Sequence, residues 1–175
     1  MIIGIKRKYL EIKSLKDLKE KRKPNKNCKV ELLEPTDFQL NKFMYKQIGK
    51  KHRWIDRLNW TDKKWINYVN DKNVETHILK ENKELIGYFE LIKYENEKEI
   101  EIAYFGILEN YIGNNYGGFL LSSAIKECFN NNISRAWVHT CSLDHRNALK
   151  NYQSRGMKIF REETLNINSK TSLAN

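Results

Sequence analysis

The sequence predicts an α/β fold of the α+β kind: a mixed, mostly antiparallel twisted sheet with helices on both faces. Three observations predict it. Residues 75–80, 84–93 and 99–108 are rich in Ile, Leu, Tyr and Phe, and short polar turns at Asn82-Lys83 and Glu95-Asn96-Glu97 separate them, as between antiparallel strands. The period then changes. Leu121, Ala124, Ile125, Cys128 and Phe129 fall at i, i+3, i+4, i+7 and i+8, the spacing of a buried helix face. A strand over 135–142 follows, so the step from 99 to 142 requires a parallel, right-handed crossover.

The remaining elements complete the order β-β-α-α-β-β-β-α-β-α-β. Residues 5–12 alternate weakly and predict a first strand, and 28–33 a second. Between them, 16–27 is polar, carries Pro24, and predicts a solvated loop. Thr36 and Gln39 have the capping-box spacing, so a helix is expected from Asp37 to Ile48 with Leu40, Phe43, Met44 and Ile48 inward. Thr61 caps a second helix, Trp60 and Trp65 stand at the two positions of a hydrophobic staple, and Ile66 and Val69 extend its apolar face. Asp144 is expected to cap a last helix that carries Ala148, Leu149 and Tyr152 and stops at Gly156. Residues 157–167 predict the final strand, and 168–175 a frayed tail.

A chain of 175 residues suits one domain, with 1–27 as a variable N-terminal strand and loop. The formal net charge of +10 fits an anionic ligand or nucleic acid, and equally a Lys- and Asn-rich composition without functional meaning. No helix-turn-helix or RNA-recognition signature supports a nucleic-acid module, which ranks last. Cys28, Cys128 and Cys141 form no paired motif, and no signal peptide or membrane-length apolar run is evident. A cytoplasmic protein with reduced thiols and no membrane partner is expected.

The segment that carries chemistry runs from Ile107 to Gly118. A strand enters a loop with three glycines, and the loop opens a helix. The first turn of a helix offers unpartnered backbone N–H groups and partial positive charge, which suits phosphate. No Lys-Ser/Thr follows the glycines and no Gly-x-Gly-x-x-Gly is present, so this is neither a Walker loop nor a dinucleotide fingerprint. Taken alone, the glycines equally suit a tight turn and close helix packing.

The run YFGILENYIGNNYGGFLLSSAI, followed by WVHTCSLDHRNALKNYQSRGM, resembles the GNAT acetyltransferase superfamily over residues 75–160, closest to a bacterial subgroup with an HTC-x-DH segment. The resemblance implies acetyl-CoA as cofactor and an amine as acceptor. It places the pyrophosphate loop on Ile112, Gly113, Asn114, Asn115, Tyr116, Gly117 and Gly118. Ile112 stands where the family often has Arg or Gln, which removes a cation. Asn115 stands where it has Gly, and Asn tolerates a left-handed backbone better than most residues. The resemblance also implies a splay between the two central strands, with the cofactor arm pairing with backbone of Phe105, Gly106, Ile107 and Leu108. Gly106 suits a bulge or a close approach there. Asn147 and Tyr152 match the family's Asn-x-x-x-x-Tyr, implying a hydrogen bond to the arm from Asn147 and a hydroxyl at the sulfur from Tyr152. Periodicity alone makes Tyr152 equally a packing residue.

Direct transfer needs a deprotonated amine, a donor for the oxyanion and an acid for the departing thiolate. Tyr152 is the acid expected here, and a strand amide near Ile107 the oxyanion donor. Glu101 is the first choice of base because it alternates with Ala103, Phe105 and Ile107 and so shares the cofactor face unless a bulge shifts the phase. Glu99, in the same EKEIEI run, would serve equally well; His139, across the splay, is the rival, and a water chain is the third choice. No metal is expected: His139, Cys141 and His145 lack a standard zinc spacing and a fourth ligand. The aromatic residues Trp54, Trp60, Trp65 and Tyr68, with Arg53, suit an acceptor wall, though core packing explains the tryptophans as well. Small-molecule amines and peptide or protein amines all fit as acceptors, and the family often forms homodimers. A catalytically silent acyl-CoA-binding member of the same fold is the alternative.

Overall fold

The computed structural model describes residues 2–168. Seven strands, β1 (Ile2–Ile12), β2 (Cys28–Leu32), β3 (Val74–Glu81), β4 (Glu84–Tyr94), β5 (Glu99–Ile107), β6 (Arg135–Cys141) and β7 (Lys158–Asn168), form one sheet in the order β2-β3-β4-β5-β6-β1-β7. The helices are α1 (Phe38–Gly49), α2 (Asp62–Val69), α3 (Tyr116–Phe129) and α4 (Ala148–Ser154). This is the predicted element order. All pairings are antiparallel except β5 with β6, which the α3 crossover makes parallel.

Each face of the sheet carries its own core. Ile100, Ile102, Phe105 and Ile107 of β5 join Leu120, Leu121, Ala124 and Ile125 of α3, together with Tyr152 and Met157. On the opposite face Met44 and Ile48 of α1 pack on Ile78, Tyr88 and Tyr104. A Cβ on Gly106 would run into the Ile48 side chain, so that glycine sets how closely α1 approaches β5.

Helix ends follow side-chain chemistry. Thr61 Oγ1 accepts from Lys64 N and the Trp60 and Trp65 rings lie 5.1 Å apart, so the predicted staple and cap of α2 are present. At α1 the cap is Asp37 and not Thr36: its carboxylate accepts from both Gln39 N and Leu40 N at 2.9 Å, which a charged acceptor does better than a hydroxyl. Met44 and Ile48 are inward as expected, but the buried face is centred further round the helix than Leu40 and Phe43. Asn41 and Tyr45 are buried, Leu40 is half-buried and Phe43 is exposed. On α2, Val69 is inward as expected but Ile66 is exposed.

Asp144 does not cap α4. It accepts from Thr140 Oγ1 and Cys141 N and closes the turn after β6, so α4 starts later, after Asn147. Gly156 ends α4 with φ +98°, the expected left-handed position. The loop at 16–27 is exposed but tethered. It begins with a short 3₁₀ turn at Leu15–Asp17, Lys19 N donates to Arg155 O, and Lys21 N donates to Ser122 Oγ. β1 starts at Ile2, three residues before expectation, and β7 runs to Asn168, into the tail expected to fray; residues 169–175 lie outside the described ones.

Candidate active site

β5 and β6 run side by side for three residue pairs, ending at Glu101 and Trp137. Beyond that pair the strands part. A cavity of about 620 Å³ opens in the gap, reaching from Ile5, Arg7 and the α1–α2 connection to the start of α3 and one side of α4.

The ladder phases decide which backbone groups face it. Leu108 N donates to Ile86 O, so Ile86/Leu108, Tyr88/Gly106 and Glu90/Tyr104 are the pairs that exchange bonds between β4 and β5. The N–H and C=O groups of Phe105 and Ile107 therefore point away from β4, into the gap. Of the four residues expected to offer free backbone, Phe105 and Ile107 do so, while Gly106 pairs with β4 and Leu108 gives its N–H to Ile86 O and accepts from Tyr111 N at its carbonyl. By the same alternation Ser142 N donates to Lys6 O, which turns the main-chain groups of His139 toward the gap from the other side.

The glycine loop borders one end. A 3₁₀ turn at Glu109–Tyr111 leads into it, and Gly113 and Asn115 take left-handed backbones with φ +91° and +65°. Asn115 is the N-cap of α3 and makes no side-chain capping bond, so it satisfies none of the first amides of α3. Ile112, Gly113, Asn115, Gly117 and Gly118 line the cavity. Asn114 and Tyr116 do not. Asn114 turns its amide to Tyr111 O, and Tyr116 is buried with its hydroxyl on Glu81 at 2.7 Å.

Cations missing from the loop come from elsewhere. Arg155, at the end of α4, and Lys21 lie over Gly118, where a Cβ would strike the Arg155 guanidinium, and both line the cavity with Lys150. Arg155 Nε is buried without a hydrogen-bond partner. An orphaned guanidinium nitrogen beside open helix amides fits a polyanionic group. No sequence spacing links Lys21 to Gly118, so that contribution was missed; it comes from the tethered 16–27 loop.

Tyr152 borders the cavity from α4, 6% exposed, its ring 6.2 Å from that of Phe105. Burial, then the Asp144 charge, pushes its hydroxyl far above the ordinary tyrosine range, so it holds its proton. Asn147 also lines the cavity; its side chain caps nothing.

The two expected bases lie differently. A register shift between β4 and β5 at Glu90/Leu91 leaves Ala103 as the extra residue. The phase of β5 inverts there, so Glu101 shares a face with Tyr104 and Gly106 instead of Phe105 and Ile107. Glu101 is 8% exposed and does not line the cavity. It accepts from Tyr94 Oη at 2.8 Å, and burial raises its pKa. His139 does line the cavity, with Nε2 3.8 Å from Glu101 Oε1, a Coulombic distance longer than a hydrogen bond. Burial, then Arg7, lowers the pKa of His139. Cys141 is half-buried, and burial raises its thiol pKa, which does not suit a nucleophile. Among the described residues no cluster of three or more His, Cys, Asp or Glu could hold a metal.

Trp54 and Arg53 line the cavity, but Trp60, Trp65 and Tyr68 do not. Those three rings, with Tyr45 and Tyr104, surround the Arg57 guanidinium. Arg57 in turn pairs with buried Glu90 at 2.8 Å, and Tyr68 Oη donates to the same carboxylate at 2.5 Å. This buried knot, invisible in the spacing, clamps the α1–α2 connection to β4.

The architecture is that of N-acetyltransferases. A GCN5-related N-acetyltransferase from Sphaerobacter thermophilus superposes with a TM-score of 0.69 at 11% identity, over 93% of this chain and 50% of that one. The ribosomal-protein-S18-alanine N-acetyltransferase of Escherichia coli gives 0.58 at 16%, over 74% and 76%. An aminoglycoside acetyltransferase from an uncultured soil metagenomic sample gives 0.63 at 14%, over 76% and 90%. The chain thus spans about half the length of the first of these structures. No curated protein matches the sequence. The model of the acetyltransferase (GNAT) family matches residues 38–157, and the chain belongs to that family. Acetyl-CoA is the donor that this family generally uses. No helix among the described residues is long and apolar enough to cross a membrane.

Proposed function

We propose that the chain is an acetyl-CoA-dependent N-acetyltransferase that moves the acetyl group directly to an amine. The observation that carries this is the parting of β5 from β6 beyond Glu101/Trp137, which leaves Phe105 and Ile107 with free backbone in the cavity that Gly117, Gly118 and Tyr152 also line.

Acetyl-CoA supplies a thioester-activated acetyl group and a pyrophosphate handle. The amides at the start of α3, with Lys21 and Arg155, are placed to hold that handle. Phe105 and Ile107 orient the arm as an added strand would be oriented, and their N–H groups include the expected oxyanion donor. Asn147 lies within the same wall. Tyr152 donates a proton to the leaving sulfur, a role its retained proton suits. His139 accepts the amine proton, since it and not Glu101 faces the cavity. Glu101 acts behind it as a positioning residue through its charge.

Two measurements test this. Acetyl-CoA at millimolar concentration should raise the melting temperature, and no rise removes the proposal. Thiol release should follow in a panel of amines. Binding without release from any amine would instead mark a catalytically silent acyl-CoA binder.

A further inference from the structure

The acceptor end of the cavity is charged in a particular order. β6 lies between β5 and β1 in the sheet, so His139 has neighbours on both sides. On the β5 side stands Asp56, from the α1–α2 connection, 3.4 Å from Tyr104 Oη. On the β1 side stands Arg7, whose Cα partner is Cys141, two residues from His139 on the same strand face. Arg7, Asp56 and His139 all line the cavity. Arg7 forms no ion pair with the described residues, and its Nε is buried without a hydrogen-bond partner. Asp144, the other acid in the lining, is already engaged by Thr140 and Cys141 N. Glu163, opposite Arg7 on β7, takes Tyr9 Oη at 2.5 Å and Arg161 at 2.8 Å. Arg53, also in the lining, adds a second cation near Trp54.

Glu163 and Glu101 lie near enough to feel the charge of Arg7, but neither reaches ion-pair distance, and a half-buried guanidinium with an unbonded Nε is a fork open to a planar anion. We infer that the acceptor is a small amine that also carries a carboxylate, its nitrogen lying between Asp56 and His139 and its carboxylate on Arg7. This rests on the proposed acetyl transfer and narrows its substrate class. A polycationic acceptor would meet Arg7 and Arg53 with like charge, which disfavours it.

Matched pairs of amines test the inference: tyrosine against tyramine and lysine against cadaverine, followed by thiol release from acetyl-CoA. The carboxylated member should show kcat/KM at least about tenfold higher. Arg7→Met should lower kcat/KM for tyrosine by about tenfold more than for tyramine, and Arg7→Lys should restore part of the difference. Equal or better use of tyramine and cadaverine, or an equal loss on both members in Arg7→Met, overturns the inference while leaving acetyl transfer in place. If acetyl-CoA binds but no amine turns over, thermal shifts by N-acetyltyrosine and N-acetyltyramine in the presence of CoA decide it. The carboxylated product should then give the larger shift, and a smaller or equal one overturns the inference. No shift with acetyl-CoA itself overturns both readings.

Discussion

Glu101 and Trp137 are the last residues at which β5 and β6 lie side by side. Beyond them the strands part, and Phe105 and Ile107 on one edge and His139 on the other have main-chain groups without a strand partner.

Tyr152→Phe should lower kcat for thiol release by about a hundredfold or more, the size of a lost general acid. The KM for acetyl-CoA should change by less than about twofold, since the ring still packs near Phe105. Steady-state kinetics with the best amine of the panel checks this. A parallel rise in KM would point to a binding role.

The pH profile follows from His139. A base works without its proton, so kcat/KM rises as pH climbs through its pKa. Burial, then Arg7, holds that pKa below the ordinary 6.5, and the acid limb should fall below pH 6.5. Arg7→Met removes a cation and should move the limb upward. His139→Asn should flatten the limb and cost about a hundredfold in rate. Survival of both rate and limb in that variant would return the role to Glu101, whose raised pKa would then set the limb above 4.5.

Asn115 holds a left-handed backbone that glycine would take without strain. Asn115→Gly should leave stability within about 1 kcal/mol of the parent. Asn115→Val should cost about 1–3 kcal/mol and shrink the acetyl-CoA thermal shift, because the α3 amides lose their alignment. Urea unfolding with and without acetyl-CoA measures both.

Glu90→Gln leaves the Arg57 guanidinium buried without its counter-charge, and should destabilise by about 3–5 kcal/mol. Arg57→Met combined with Glu90→Leu should recover much of that loss, since two apolar side chains need no pairing. Urea unfolding of the single and double variants reads the coupling. A Glu90→Gln variant as stable as the parent would show that the five surrounding rings suffice.

Much of the fold was legible because it is local. The Trp60–Trp65 staple, the Asn82-Lys83 turn and the period change at Leu121 each rest on residues a few positions apart, and each stands as expected. The misassignments share a cause. Thr36 and Asp37 compete for the same amides, and the charged acceptor wins. Asp144 could cap a helix or close a turn, and the strand end beside it takes its oxygens. Alternation placed Glu101 with Phe105, but the extra residue at Ala103 inverts the face, and a bulge depends on the partner strand.

Read along the chain, residue patterning was enough to fix the element order, the glycine loop at the start of α3, and the family resemblance carried by Asn147 and Tyr152. What required the folded molecule was every relationship across the sheet: which amides of β5 are free, which base faces the cavity, and how Lys21, Arg155 and Arg7 converge on its two ends. Helix and turn signals act over three or four residues and are written in sequence. Ladder phase and the meeting of distant charges depend on neighbours some hundred positions away, and no local pattern encodes them.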